Sequence, residues 1–213
     1  MGIYVEYGAG TTVGEGWLSY DSSPTLRLER LPLIGRRLGK LAGGHAPFPK
    51  EIHYGDIVRG LPLQDSSVDG IYASHVLEHL ALEDMRTALS NTIKLLKPGG
   101  VFRVIVPDLT IATQHYMEEV GDPDAAFRFL SGTWLGREKR ERTIIGRLRE
   151  IIGSSHHLWM YDYPAMEREL VEAGFTSLRI AQFGDAEDSM FNLIEHPDRF
   201  ENSVAIQAFR PVN

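Results

Sequence analysis

Residues 3–21 read IYVEYGAGTTVGEGWLSYD. Ile3 to Tyr7 has the β-branched and aromatic residues of a strand and is ended by Gly8-Ala9-Gly10, and Trp17 to Tyr20 is a second strand ended by Asp21. Only six residues separate Gly10 from Trp17, whereas a helical crossover between parallel strands needs a dozen or more. The nine residues 8–16 still reach roughly 30 Å when extended, enough to return along a strand of about 17 Å and begin another. The stretch therefore predicts two strands of one sheet with the usual first helix deleted.

Working outward, Ile52 to Tyr54 is a short third strand followed by Gly55-Asp56, and Val68 to Ser74 is a fourth, entered through LPLQDSSVDG. Between them Pro32 and the glycines at 35, 39, 43 and 44 leave the region after Pro24 irregular, with helical turns. Met85, Leu89, Ile93 and Leu96 recur at helical spacing over about 82–96, and Lys97-Pro98-Gly99-Gly100 closes that helix before a buried fifth strand, Val101 to Val106. Helices are expected over roughly 109–120, 123–134, 138–152 and 164–173, then two β-rich runs, TSLRIAQF and NSVAIQAF. This alternation predicts an α/β domain with a mostly parallel sheet.

With 213 residues, 43% of them hydrophobic, the chain can build one sizeable core and is too short for two ordinary domains. A net charge of −7 disfavours a nucleic-acid partner. The lack of cysteine excludes disulfides, thiolate metal sites and a cysteine nucleophile. The first residues do not read as a signal peptide and no run approaches a membrane span, so a cytoplasmic location without an integral membrane segment is expected. REKRERTIIGRLREIIG, residues 137–153, reads as a basic amphipathic helix covering the domain, with a peripheral membrane or partner surface as the alternative.

His75-Val76-Leu77-Glu78-His79 spells H-x-x-E-H, a zinc-peptidase signature. Two imidazoles at that spacing converge on one metal from a helix face. Here His75 follows a strand, VDGIYAS, and the helix starts only after about Leu80, so the motif is read as coincidental and no metal is expected. In an open parallel sheet, ligands bind beyond the carboxyl ends of the strands. Those ends carry Glu6, Gly8, Ala9 and Gly10, then Asp21, then Asp56 and Ile57, then Ser74 and His75. Glycines permit close backbone approach, and the two aspartates can accept from ribose hydroxyls and an adenine amino group, which together describe a nucleoside pocket.

Glu-x-Gly-x-Gly at 6–10, Asp21, Gly55-Asp56, LPLQDSSVDGIYASHVLEHL and LLKPGGVFRVIVPD resemble, in order, the motifs of class I S-adenosylmethionine (SAM) dependent methyltransferases. The resemblance is closest to small bacterial proteins predicted to be methyltransferases, whose first motif runs into a GW(I/L)NxD strand, here Gly16 to Asp21. It covers about residues 3–108, and HLWMYDYPAMERELVEAGF extends it. It implies a doubly wound, seven-stranded, mostly parallel Rossmann-like sheet in a single domain, 1–213, with a helical insertion at about 109–160. It also implies SAM as cofactor, with Glu6 toward the methionine ammonium, Asp21 on the ribose, Asp56 on the adenine and Ile57 over its face. The deleted helix removes N–H donors for the methionine carboxylate, which must then use the backbone of 9–16 or a basic side chain. His75 is the first candidate for a general base and His157 the second, with a small molecule or a sugar as acceptor. In SSHHLWMYDYP, residues 154–164, His157 or Tyr161 can face substrate, or Leu158 and Trp159 can be core with His156 and His157 solvated. Glu167, Arg168 and Glu169 read as a solvated helix face. The alternatives are a SAM-binding or degenerate Rossmann-like protein acting on a partner, and an NAD-dependent oxidoreductase. Against the second, Val13 breaks G-x-G-x-x-G.

Overall fold

The computed structural model describes residues 2–32, 47–137 and 156–212. Seven strands form one sheet in the order β3-β2-β1-β4-β5-β7-β6. They are β1 Tyr4–Tyr7, β2 Trp17–Asp21, β3 His53–Tyr54, β4 Val68–Ser74, β5 Leu96–Pro107, β6 Thr176–Ile180 and β7 Ser203–Phe209. The first five run parallel, while β7 lies antiparallel between β5 and β6. Five α-helices accompany them among the described residues: α1 Pro24–Glu29, α2 Leu82–Leu95, α3 Leu109–Glu118, α4 Ala125–Gly132 and α5 Tyr163–Glu172. None is long and apolar enough to cross a membrane. The amphipathic helix expected over 138–152 lies outside the described residues.

The deleted crossover is borne out. β1 and β2 pair in parallel from Tyr4↔Trp17 to Tyr7↔Tyr20, and residues 8–16 contain turns and no helix. Thr12 N–H donates to the Ala9 carbonyl and Trp17 N–H to the Gly14 carbonyl, so the return is made by two tight turns. The expected turn at Lys97–Gly100 is instead part of β5: Leu96 already pairs with Val68, and an irregularity before the Gly70↔Val101 pair absorbs the extra residues.

Strand alternation sorts the sheet into two unlike faces. Val5, Tyr7, Ile71, Ala73, Phe102, Val104, Val106, Val204 and Ile206 point to one, where they pack under Met85 and Leu89 of α2 and Met166 and Leu170 of α5. Tyr4, Trp17, Tyr72 and Ile105 point to the other, and Phe191 and Ile194 pack on them from the segment joining β6 to β7. That segment, Ala181–Asn202, is a strap of loops and 3-10 turns. It is fastened by Trp17 Nε1–H to the Met190 carbonyl at 3.0 Å, Tyr4 O–H to Asp188 and Arg103 to Glu195, the last pair fully buried. The strap takes up the face left bare by the missing helix.

Candidate functional site

Strand alternation also puts Glu6, Ser19, Asp21 and Ser74 on the strap face, all buried at or near the carboxyl ends of β1, β2 and β4. Ser19 O–H donates to Glu6 Oε2 at 3.1 Å. Burial raises the Glu6 carboxyl to about 7, although the Ser19 hydroxyl and the positive charge of Arg199, on the strap, both pull it down. Asp21 accepts Gly10 N–H on Oδ2 at 2.8 Å and Ser23 N–H on Oδ1 at 2.7 Å, tying the first loop to the end of β2. Burial raises its pKa against the pull of those two donors.

Within the loop the glycines divide by role. Gly10 has φ +55° and open space where a Cβ would stand, the form of a cradle for a ligand. Gly8 has φ +71° and sits against Val76, while Gly14 and Gly16 face Trp17, Ile194 and Met190 and so make room for the strap. Ala9 is buried with Leu26 and Ile52, and its N–H is taken by the Tyr20 carbonyl. Asp56 accepts Val58 N–H at 3.0 Å and pairs with Arg59 at 3.4 Å, closing its own turn, and Ile57 is buried in the main core.

Beside this row, a cavity of about 730 Å³ opens between the end of β5, α3, α4 and the segment 156–160. His75 and His157 line it together with Glu78, His79, Arg128 and Arg199, whereas none of the expected cofactor-binding residues does. His75 joins the two regions: its backbone continues β4 from Ser74, with N–H to the Ile105 carbonyl, and its ring faces the cavity. Its φ of +55° is a left-handed conformation rarely adopted outside glycine, held here by that bond and by Nε2–H donating to the Arg199 carbonyl at 2.9 Å.

The H-x-x-E-H block departs from expectation. Leu77–His79 is a 3-10 turn, and with no α-helix it still gathers the histidines on one carboxylate. His75 Nδ1, His79 Nε2 and His157 Nε2 lie 3.6, 3.8 and 3.9 Å from Glu78 Oε1. His157 is the third member that spacing did not reveal. It is delivered because Leu158 and Trp159 N–H both donate to the Glu78 carbonyl, at 2.7 and 3.1 Å. Burial lowers the His157 pKa, against the opposing charge of Glu78.

The expected core pair in this segment is inverted: Leu158 and Trp159 are exposed, His157 is largely covered, and Tyr161 belongs to the main core rather than the cavity wall. Glu169, read as solvated, is buried and receives both Arg86 nitrogens at 2.7 and 2.8 Å, with its pKa lowered to about 2 chiefly by that pair. Arg199 and the α3–α4 lining of the cavity carried no signal in the sequence, since each depends on a long-range approach.

A family model described as a methyltransferase domain matches residues 36–104. This match takes in β3, β4 and most of β5, with Asp56 and His75, and leaves out β1 and β2, with Glu6, Gly10 and Asp21. Residues 36–104 are thus similar to a methyltransferase domain. A curated relative, the highly reducing polyketide synthase cm3B of Cordyceps militaris, is 31% identical over 109 residues, 47% of this chain and 4% of that protein. The matched part of the chain thus spans a small fraction of that relative's length. Among solved structures, a chain from the Haloferax volcanii complex of a methyltransferase activator with a protein assigned as a methyltransferase is 15% identical, with 99% of this chain and 83% of that one covered and a TM-score of 0.50. A SAM-dependent methyltransferase from Thermotoga maritima is 17% identical with the same coverage and a TM-score of 0.48. At such identities the likeness is one of fold.

Proposed function

We propose that the protein transfers a methyl group from SAM to a small-molecule acceptor, such as a sugar, held in the cavity beside His75. The observation that carries this reading is the pairing of Glu6 and Asp21, buried carboxylates at adjacent strand ends, around the open cradle at Gly10. These residues fit the cofactor: Asp21 retains acceptor capacity for ribose hydroxyls, and Glu6 offers a carboxylate to the methionine ammonium. The methionine carboxylate has no helix N-terminus to meet, and Arg199 supplies positive charge near Glu6 in its place.

SAM brings a methyl already activated by its sulfonium charge, so the protein has to orient the acceptor in line and exclude water. The walls from α3 and α4 do the second, and His75, at the junction of the two regions, is placed for the first. His75 Nε2–H is committed to the Arg199 carbonyl, so Nδ1 is the ring atom free to accept an acceptor proton. One observation favours the reading without catalysis: Ala9 and Gly10 N–H groups, natural donors to a cofactor, are bonded within the protein. Titration calorimetry with S-adenosylhomocysteine tests the proposal, with micromolar binding expected and absence of binding at millimolar ligand counting against it. Conversion of SAM to S-adenosylhomocysteine over a panel of hydroxylated acceptors then separates transfer from mere binding.

A further inference from the structure

Glu78 is fully buried, yet neither carboxylate oxygen has a hydrogen-bond partner. The three imidazole nitrogens around Oε1 stand at 3.6–3.9 Å, beyond hydrogen-bond range. The protonation of two of them follows from their far sides. A carbonyl can only accept, so His79 Nδ1 carries the proton toward the His156 carbonyl at 3.2 Å and its Nε2 presents a lone pair to Glu78. His75 is fixed in the same way by the Arg199 carbonyl, with Nδ1 facing Glu78. His157 Nδ1 is buried with no hydrogen-bond partner, and its Nε2 faces Glu78. Two imidazole lone pairs, a third imidazole and a carboxylate thus converge on one point, and no donor comes within hydrogen-bond range of the carboxylate. In water-poor surroundings this arrangement is costly unless a cation occupies the centre.

We infer that Glu78, His79 and His157 form a binding site for a divalent transition-metal ion of the zinc class. Their ligating atoms all lie within 4.8 Å of one another. A tetrahedral ion with bonds of about 2.0–2.1 Å holds its ligands roughly 3.4 Å apart, so closure on the metal shortens the widest separation by up to about 1.4 Å, shared among the three side chains. Two imidazoles and one carboxylate suit zinc, and a ring N–H given to a backbone carbonyl is the usual support of a metal-bound histidine. His75 Nδ1, 3.6 Å from Glu78 Oε1, borders the site and stays outside the ligand set. With three protein ligands the ion keeps a position open toward the cavity, where an acceptor oxygen would be held and its proton made easier to lose. That role rests on the methyl-transfer reading; the existence of the site does not.

The test uses full-length protein stripped with chelator, then titrated with zinc by calorimetry and with cobalt(II) by visible absorption, both without SAM. One equivalent should bind at sub-micromolar Kd, with cobalt bands of a four- or five-coordinate ion and a rise in Tm. Glu78→Gln and His79→Gln should each weaken binding at least 100-fold and abolish the bands, with circular dichroism confirming that they fold. If either variant is unfolded, His157→Gln, on a surface segment, carries the same expectation. Sub-stoichiometric binding, or binding indifferent to these variants, overturns the site. Zinc binding without any binding of S-adenosylhomocysteine leaves the metal site standing and defeats the methyltransferase reading, whereas the reverse result does the opposite.

Discussion

The two faces of the sheet solve the same problem differently. One is closed by aliphatic side chains beneath α2 and α5, the arrangement expected when helices cross between parallel strands. The other lost its first helix and is closed by the strap 181–202, which packs aromatic rings on Tyr4, Trp17 and Tyr72. It also brings Glu195 and Asp185 to Arg103 of β5, which Gln207 of the neighbouring β7 meets as well. The polar face is the one that carries Glu6, Ser19, Asp21 and Ser74, and the strap brings Arg199 to its open end. Deleting a helix therefore did more than shorten the chain. On the proposed reading, Arg199, delivered from the far end of the sequence, stands in for the backbone N–H donors of a helix start.

If charge clamps the strap, its removal should be the most damaging single change. Arg103→Met leaves Glu195 buried without its cation and should cost about 3–5 kcal/mol in urea unfolding. Replacing Arg103 and Glu195 together by apolar residues should cost much less than the separate changes summed. A loss below about 1 kcal/mol for Arg103→Met would show that aromatic packing alone holds the strap. On the opposite face Leu89→Ala, at a fully buried position of α2, should cost about 3 kcal/mol by leaving a cavity. Affinity for S-adenosylhomocysteine should stay unchanged in that variant, and a coupled loss would mean the faces are not independent.

Asp21→Ala belongs to the polar face and should act mainly on binding. Loss of a charge-assisted acceptor should weaken S-adenosylhomocysteine by about 1.5–3 kcal/mol, roughly tenfold to a hundredfold. Freeing Gly10 N–H and Ser23 N–H adds a smaller cost in stability. Calorimetry on the folded variant reads the first effect, and unchanged affinity would remove Asp21 from the pocket.

The strands were legible because their alternation is local: Val68–Ser74 was bounded by turn residues, and the spacing between Gly10 and Trp17 left no room for a helix. The polar face was legible only in part. Glu6 and Asp21 announce themselves beside glycines, but nothing local in Glu195 or Arg199 tells that a strap will bring them to Arg103, 92 residues earlier, and to His75, 124 residues earlier. In the H-x-x-E-H block the sequence shows no α-helix to bring the histidines together, whereas a 3-10 turn and a segment some 80 residues further on, bonded to the Glu78 carbonyl, gather His75, His79 and His157 around Glu78. Glu169 is a parallel case, since its solvated pattern conceals a partner, Arg86, on another helix.

The smallest effect tests the polar face through Glu6, and its sign differs between stability and binding. The Glu6 carboxyl titrates at about 7 in the folded protein against 4.5 ordinarily, chiefly from burial. Between those values the folded state holds a proton that the unfolded state has released, so stability from this group is complete below about pH 4.5 and is lost as pH rises through 7. The Tm of wild type should therefore fall relative to that of Glu6→Gln between pH 5 and 8. Binding should run the other way. A carboxylate that receives the methionine ammonium must be ionised, and the ionised fraction rises about tenfold from pH 6 to pH 8 for a group near 7. Affinity for S-adenosylhomocysteine should rise by about the same factor, near 1.4 kcal/mol, and Glu6→Gln should abolish the rise. Were both proteins to show the same pH slope in binding, Glu6 would be a structural acid bonded to Ser19, and the ammonium would have to be held elsewhere on the strap face.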